Sequence, residues 1–406
     1  MNRARVRRKA GLYRVGLCAA AVAASVALVL HVEGHGQSAL LPGAPLPGLT
    51  QREFTEFRLG LDDFVEVETA EDGLGPAYNG TSCAACHNLP SIGGGGVILE
   101  MRAAYRDADG EARELNESGD TLVHLLSTPS HNCQVRMPDD VNVIARRAPI
   151  PVFGAGLVEA IADDTILALE DPFDRNRDGV SGRAAVIVDL ATGNRRVGRF
   201  GWKSQHATLL AFGADAYRNE MGITNDLFPR EFAFNVADEQ MRLCDPLPDP
   251  EDRPDPATRR RGIDNFESFM RLLAPVPRGR NDDVTRAGER VFAAIGCASC
   301  HVPSLATAAN QNPLFDRRTV PLFSDLLLHD IGTGDGIRQA AAEAAEIRTP
   351  ALWGLRFRRP LLHDGRAATI VEAIEQHRNE AELARRGYAR LPPEEREQLL
   401  AFLSSL

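Results

Sequence analysis

The chain carries the pattern Cys-X-X-Cys-His twice, at Cys83–His87 and again at Cys297–His301. Cysteines at positions i and i+3 followed by histidine at i+4 lie on one face of a helical turn. Two thiols in that arrangement can form thioethers to one porphyrin edge while the imidazole binds the iron. A zinc site would need a closed shell of four ligands, and a redox dithiol needs no histidine at that place. The two copies therefore predict two covalently attached c-type haems: Cys83, Cys86 and His87 hold one, and Cys297, Cys300 and His301 hold the other.

Seven cysteines are present, and three lie outside these motifs. Cys18 belongs to the N-terminal segment, which leaves Cys133 and Cys244. In an oxidising compartment such a pair usually forms a disulfide. Two buried free thiols are the alternative, and the sequence leaves the choice open.

The N-terminus has the features of an export signal. Basic residues up to Arg14 precede an uncharged apolar run from Val15 to Leu30. The run is long for a signal peptide and shorter than the roughly 20 residues of a comfortable membrane span. We therefore assign residues 1–45 to a signal peptide or N-terminal anchor plus linker, and expect a periplasmic protein that contacts the membrane only through an uncleaved anchor.

The formal net charge of the chain is −10, although the first 14 residues are strongly basic. An acidic body argues against nucleic acid as a partner. It would suit a basic redox partner, and it would equally serve solubility.

Breaks in the sequence suggest two haem domains. A Pro- and Gly-rich linker occupies residues 41–48, and a second break, PVPRGRNDD, occupies residues 275–283. The pattern predicts a first haem domain over 46–280, with insertions, and a second over 281–406. Strand-like stretches at 97–105 and 186–200 favour inserted β-hairpins. The expected fold is mainly α, with two cytochrome c-like haem modules, inserted β-hairpins and long loops.

Several longer stretches carry a family resemblance. They are DGLGPAYNGTSCAACHNLPSIGGGG (72–96), ARRAPIPVFGAGLVEAI (145–161), GRFGWKSQHATL (198–209), MGITNDLFP (221–229), LLLHDIG (326–332) and IRTPALWGLRFRRPLLHDGRAATIVEAIEQH (347–377). With them the chain resembles the di-haem oxidoreductase family of exported bacterial proteins. That family is related to the bacterial di-haem cytochrome c peroxidases, to the di-haem enzyme that matures methylamine dehydrogenase and to the di-haem rubber oxygenases. The resemblance implies peroxidase-like activity, hydrogen peroxide as oxidant, and a small cytochrome or cupredoxin as electron donor.

The resemblance also implies ligands for the second haem. In the peroxidases a methionine ligand stands fourteen residues after the histidine of a His-acid-Gly turn. Here that turn begins at His363, and the fourteenth position is His377. A haem held by His301 and His377 would have a lower potential than a methionine-ligated one. A surface role for His377 is the alternative, and His363 is then the next candidate ligand, or otherwise a group near the haem edge.

The first haem, on His87, shows no obvious sixth ligand, and an open position is what peroxide needs. By resemblance, Glu159 corresponds to the glutamate that assists O–O cleavage, and Phe153 lines the same pocket; a helix-surface glutamate is the alternative. Trp202 is the candidate electron relay between the haems, with Trp353 the only other tryptophan. Arg146 and Arg147 are candidates to pair with haem propionates.

Asp174, Asn176 and Asp178, followed by Gly179, resemble the front half of a calcium-binding EF-hand loop. The twelfth position is Ala185, so the usual bidentate glutamate is missing. Calcium is therefore a candidate second cofactor, and an Asp/Gly turn without metal is the alternative.

The leading functional hypothesis is a peroxidase-like enzyme. In it a bis-histidine haem relays electrons to an open-coordinate haem. A pure electron carrier with two six-coordinate haems is the first rival, and an oxygenase acting on an apolar substrate is the second.

Overall fold

Helices provide most of the regular structure. The computed structural model describes residues 41–108, 112–113, 121–128, 133, 135–137, 139–231, 233, 236, 238–244 and 253–406. Within them the α-helices are α1 Gln51–Val65, α2 Cys83–Cys86, α3 Ala155–Glu159, α4 Asp163–Leu167, α5 Leu209–Met221, α6 Asp238–Cys244, α7 Gly262–Leu272, α8 Asp283–Ala294, α9 Ile370–Gln376, α10 Glu382–Arg390 and α11 Pro393–Leu403. Short 3₁₀ turns lie at Ala70–Asp72, Cys297–Ser299, Leu355–Phe357 and Asn379–Ala381.

The strands are short and all their pairings are antiparallel. They are β1 Ala77–Tyr78, β2 Glu100–Arg106, β3 Ala112–Arg113, β4 Leu126–Ser127, β5 Val143–Arg147, β6 Val186–Val188, β7 Arg195–Val197, β8 Leu305–Ala306, β9 Thr319–Val320, β10 Leu328–His329 and β11 Ile347–Arg348. The one three-stranded sheet in the described residues has the order β3-β2-β5, and the other strands pair as β1-β4, β6-β7, β8-β9 and β10-β11. The fold is mainly helical, as the sequence predicts.

Helices α1 and α7 pack together beside the first Cys-X-X-Cys-His motif. Phe57 and Phe64 of α1 lie against Phe269 of α7, with ring centroids 5.4 and 4.7 Å apart. The two backbones approach closely at Gly60, where a Cβ atom would stand 2.2 Å from the carbonyl oxygen of Asn265. Thr50 and Glu53 begin α1 with a reciprocal capping box. This pair of helices supplies apolar side chains, among them Phe64 and Phe266, to the cavity wall beside the first motif.

Helices α8 and α11 pack together beside the second Cys-X-X-Cys-His motif. Asp282 caps α8 by accepting a hydrogen bond from the backbone N–H of Thr285. At the other end, Phe292 packs edge-on against Phe402 of α11, with centroids 5.3 Å apart. Gly288 lies so close to α11 that a Cβ atom would stand 1.9 Å from the carbonyl oxygen of Gln398. The chain then reaches Cys297 directly.

The main apolar core takes side chains from both halves of the sequence. Leu322, Leu326 and Trp353 are buried in the same cluster as Phe153 and Phe269. A smaller cluster around Phe292 and Phe402 serves the second motif. The predicted domain boundary near residue 280 stays a prediction.

The predicted signal or anchor falls mostly within residues 1–40, which lie outside the described residues. In the part of the chain that the structure describes, no helix has the length and apolar character needed to cross a membrane.

Cys133 and Cys244 form a disulfide, with their Cα atoms 5.4 Å apart. Both cysteines are buried, in a small cluster with Ala77 and Met241. The structure thus selects one of the two alternatives that the sequence leaves open.

A buried ionic cluster fixes strand β10 beside the second motif. His329 is 2% exposed and shares hydrogen bonds with Asp325 through Nε2 (2.9 Å) and with Glu380 through Nδ1 (2.8 Å). Glu380 also accepts from the backbone N–H groups of Ser181 and Asp330. Burial alone would lower the pKa of His329, but its hydrogen bonds, above all with Asp325, raise that pKa well above 6.5. The imidazole is therefore a cation held by two carboxylates.

We predict that replacing both disulfide cysteines, in C133S/C244S, lowers the free energy of unfolding by about 4–5 kcal/mol in the chain-entropy model, because the bond closes a 111-residue loop. Denaturant unfolding of the oxidised wild type and the variant would measure the difference. Intact mass before and after reduction is the control, since two free thiols in the purified wild type would contradict the bond.

We predict that H329Q lowers the free energy of unfolding by about 3–5 kcal/mol at pH 6, because it leaves buried carboxylates without their cation. The pKa of His329 is raised on folding, so its stabilisation is complete below about pH 6.5 and is lost as the pH rises through the folded-state value. The difference between wild type and variant, measured by denaturant unfolding from pH 6 to 9, should therefore shrink with rising pH. A difference that stays constant would contradict the charged state.

Candidate functional site

The first Cys-X-X-Cys-His motif lies on the short helix α2 and the turn after it. The Nδ1 of His87 donates a hydrogen bond to the carbonyl oxygen of Gly94, 2.9 Å away. The glycine run 93–96 makes this contact possible by folding tightly back on the motif. A Cβ atom on Gly94 would stand 2.0 Å from the carbonyl oxygen of Leu89, and one on Gly96 would stand 2.1 Å from that of Cys86.

A cavity of about 1350 Å³, its open mouth included, lies against this motif. Concave, largely apolar cavities of this kind are typical of cofactor sites. Cys83, Cys86 and His87 lie on its wall, and much of the remainder is apolar, including Phe64, Val152, Phe212, Phe266 and Met270.

The two thiols in this wall are not those of a reactive dithiol. Burial raises the pKa of Cys83 to about 12 and that of Cys86 to about 11. Reactive dithiol cysteines have a lowered pKa instead. The two sulfurs, the imidazole and the apolar cavity together fit a haem bound through thioethers better than a redox or zinc site.

The second motif is arranged in a similar way. The Nδ1 of His301 donates to the carbonyl oxygen of Phe323 (3.0 Å), and that of His377 donates to the carbonyl oxygen of Ala373 (2.7 Å). Burial lowers the pKa of His377 and brings that of His301 to about 4. His377 lies close enough to contribute to the lowered pKa of His301. These residues fit a second haem held between two histidines.

His87, His301 and His377 therefore share one hydrogen-bond pattern. A carbonyl oxygen can only accept, so each Nδ1 carries the proton, and the lone pair of a neutral imidazole is on Nε2. A histidine that ligates iron or zinc is usually oriented in this way by a partner on its other nitrogen. No other histidine in the described ranges donates from Nδ1 to a backbone carbonyl: His124 and His206 are bonded through Nε2, and His329 is bonded to carboxylates.

Two buried carboxyl groups, Glu100 and Glu220, also line the cavity at His87. Burial raises the pKa of Glu220 well above 4.5, and the charge of Glu100 and a hydrogen bond with it raise it further. Burial acts on Glu100 in the same direction, but Arg102, 2.7 Å away, lowers its pKa overall. The pair therefore holds one proton, on Glu220, beside one carboxylate.

No sequence motif indicates this pair of carboxyl groups. Glu220 stands directly before the MGITNDLFP stretch, and Glu100 lies in β2. Only the fold brings them together, because α5 ends against β1 and the residues after it. The position of Glu220 next to a family-like stretch was the one available signal.

The catalytic role predicted for Glu159 stays a prediction, and its carboxylate oxygens have other partners. Its Oε1 accepts a hydrogen bond from the backbone N–H of Leu209 at the start of α5 (2.8 Å), and its Oε2 is paired with Arg271 (2.7 Å). It is not among the described residues that line the large cavity, and neither is Phe153. Phe153 is 2% exposed and lines a second, adjoining cavity. This geometry does not favour Glu159 as the group that acts on peroxide.

Trp202 and His363 lie side by side at the edge of the large cavity. Trp202 lines the cavity and donates from Nε1 to the carbonyl oxygen of Ala148 (2.8 Å). Its ring meets that of His363 edge-on, with centroids 6.1 Å apart. His363 is 2% exposed and its buried Nε2 has no hydrogen-bond partner among the described residues. Trp353 lines the second cavity.

The loop with Asp174, Asn176 and Asp178 is a network of backbone turns. Asp174 accepts from the N–H of Gly179, Asn176 from that of Asp178, and Asp178 from that of Val180. Asn176 and Asp178 are exposed. Calcium binding at this loop stays a prediction. Among the remaining histidines, His131 lies outside the described residues and His206 is bonded to Asp215.

Comparison with solved structures gives distant similarities. Hydrazine synthase of Kuenenia stuttgartiensis is 16% identical, with 98% of this chain and 100% of that chain covered and a TM-score of 0.40. The diheme peroxidase BthA of Burkholderia thailandensis is 15% identical, with 87% and 86% covered and a TM-score of 0.38. A MauG-like protein associated with microbial copper homeostasis is 17% identical, with 69% and 94% covered and a TM-score of 0.33.

No curated protein matches the chain. A family model does: the family described as "Di-haem oxidoreductase, putative peroxidase" matches residues 116–406. The match covers more than two thirds of the sequence and includes the second haem motif, His363 and His377. The chain therefore belongs to the di-haem oxidoreductase family of peroxidase-like enzymes.

Proposed function

We propose that this protein is an exported, periplasmic di-haem peroxidase that reduces hydrogen peroxide at a c-type haem bound by Cys83, Cys86 and His87. The observation that carries the proposal is the large cavity at His87, in which a buried, proton-holding carboxyl pair stands beside the histidine. A pair of this kind is what an acid–base step on a small oxidant needs.

The wall of the cavity supports an open coordination position. Among the described residues that line it, His87 is the only imidazole. His87 would hold the haem iron, and the lining offers no second imidazole that would compete with peroxide for it. Haem iron, when bound, supplies the electrons and the Lewis acidity for cleaving the O–O bond.

Glu220 is the group we assign to proton transfer, in place of Glu159. Burial and the charge of Glu100 raise the pKa of Glu220, which favours the protonated form of its carboxyl group. The ionised Glu100 can accept the proton of one peroxide oxygen while Glu220 donates its own proton to the other. Arg102 keeps Glu100 ionised, so the pair retains one proton throughout.

The second site supplies electrons. A haem attached to Cys297 and Cys300 and held by His301 and His377 would be six-coordinate and low-spin, which suits transfer rather than reaction. Trp202, at the edge of the large cavity, is the proposed relay between the two haems. A small cytochrome or cupredoxin is the proposed donor, and the acidic surface would favour one with basic residues.

Calcium is a further proposed cofactor, bound by Asp174, Asn176 and Asp178. Oxygen ligands at alternate positions of a tight loop support it. The loop is linked to the second haem site, because the N–H of Ser181 donates to Glu380, which binds His329.

A pure electron carrier is the second candidate, and one observation favours it. Met221 and Met270 also line the cavity at His87. A thioether of either residue on the iron would give two six-coordinate haems without peroxide chemistry.

We predict that visible and EPR spectra of the ferric protein show one high-spin and one low-spin haem, and that only the high-spin signal changes with one equivalent of hydrogen peroxide. H377A should convert the second haem to high spin because it removes an axial ligand. H363A, the matched variant at the other candidate ligand, should stay low-spin. Two low-spin signals in the wild type that ignore peroxide would establish the electron carrier instead.

We predict that E220Q slows peroxide turnover about 10²–10⁴-fold, since glutamine cannot donate a carboxyl proton to the departing peroxide oxygen. E159Q is the matched control, because it makes the same chemical change at a carboxylate outside the cavity wall. Steady-state peroxide consumption by both variants, at equal haem content, would test this. A large loss in E159Q with normal turnover in E220Q would reverse the assignment.

A further inference from the structure

A second cavity, of about 570 Å³, adjoins the one at His87. Ile150, Val152, Gly201 and Phe212 line both cavities, so the two spaces share a wall. The second cavity is otherwise mostly apolar, but three arginines line it and no carboxylate among the described residues does; the arginines are Arg199, Arg348 and Arg358. An apolar cavity with cations and no anion requires an explanation, because buried charges are normally paired.

Arg348 is 5% exposed and forms no salt bridge among the described residues, although the negative charge of Asp325 acts on it. Its Nε donates to the carbonyl oxygen of Gly201 (2.8 Å) and its Nη1 to that of Thr349 (3.2 Å). Burial and, to a smaller extent, the positive charge of Arg358 lower the pKa of Arg348 to about 10, against an opposing effect of Asp325. Two guanidinium groups thus face the same buried space and repel each other.

Arg358 is held above the ring of Trp202, with its guanidinium carbon 5.1 Å from the ring centre. Its Nη2 is buried and has no hydrogen-bond partner among the described residues. A buried donor without a partner is costly, so the site needs an acceptor at this place.

Other buried cations in the described residues have their anions. Arg199 is paired with Asp163, Arg102 with Glu100 at 2.7 Å, and Arg147 with Asp335 at 2.7 Å. Lys203 shares the same Asp335, at 3.1 Å. Of the two arginines that the sequence offered for haem propionates, Arg147 already has a carboxylate partner, which it shares with Lys203, and Arg146 is exposed. Arg348 and Arg358 stand apart from this pattern.

We propose that Arg348 and Arg358 bind a propionate carboxylate of the haem in the His87 cavity. The planar forks of two guanidinium groups match the oxygens of one carboxylate. The shared wall places the two arginines next to the space that the macrocycle would fill. The inference rests on the proposed haem at His87, but it requires no peroxide turnover.

The arginine pair then also sets the potential of that haem. One propionate neutralises only one of two buried cations, so a net positive charge remains near the iron. Positive charge in a medium of low dielectric constant favours the reduced, less positive iron. The same charge lies over Trp202, whose ring it stabilises against oxidation.

The test is an EPR-monitored redox titration of purified holoprotein, which follows the two iron centres separately. The variants are R348Q, R358Q and R348Q/R358Q, and the matched control is R359Q, which makes the same charge change at an exposed neighbouring residue. At a fixed ambient potential, each single variant should lower the ferrous-to-ferric ratio of the first haem at least about tenfold, which corresponds to about 59 mV for one electron. R359Q should leave the ratio within about twofold of wild type.

Charge-conserving variants protect the test against loss of folding. R348K and R358K should keep the haem content and most of the wild-type ratio, because they retain the cation. The proposal would be overturned if R348Q and R358Q, at full haem content, kept the wild-type ferrous-to-ferric ratio of the first haem. It would also be overturned if the ratio changed only at the second haem.

A carboxylate from solution could fill the same site, so sodium acetate is added to the wild type at constant ionic strength. The ferrous-to-ferric ratio of the first haem should not change with acetate, because the haem propionate already binds the two arginines. A saturable response to acetate would show that the pair binds an external carboxylate, which overturns the assignment to the haem. None of these readouts uses peroxide, so they fail independently of the proposed peroxidase activity.

Discussion

The hydrogen bond from an imidazole Nδ1 to a backbone carbonyl is the interaction on which both candidate sites depend. It fixes the tautomer and the ring plane of His87, His301 and His377, and so decides where each Nε2 lone pair lies. The acceptors belong to segments outside the motifs for His87 and His301, namely the glycine loop and the residues before Ser324. The fold therefore prepares each ligand before any metal chemistry is considered.

The sequence predicted those parts of the site that are local. The Cys-X-X-Cys-His motifs need only one helical turn each, and both appear at short helical turns in the structure. The mainly helical fold followed from similar local patterns, such as the capped helices that lead to the motifs. Family membership also followed, because it depends on several long stretches rather than on one residue.

What the sequence could not predict is which distant groups meet. Glu100 and Glu220 are 120 residues apart and become a pair only because a strand and a helix end at the same cavity. From the sequence alone Glu159 is an equally suitable candidate for proton transfer. In the structure its carboxylate oxygens bind Arg271 and the backbone N–H at the N-terminus of α5. Likewise, nothing in the sequence separated Arg147, which has Asp335, from Arg348 and Arg358, which have no such partner in the described residues. Charge pairing is a property of packing, and packing is not local.

The shared core has a consequence for how such a chain can be divided. Leu322, Leu326 and Trp353 follow the second haem motif in sequence, but they are buried with side chains of the first half. Cutting the chain between the motifs would expose these apolar surfaces on both fragments, at a cost of roughly 25 cal/mol per Å². The two motifs lie in separate parts of the sequence, but side chains from both parts share one apolar core. Neither half is therefore suited to recombination with other proteins.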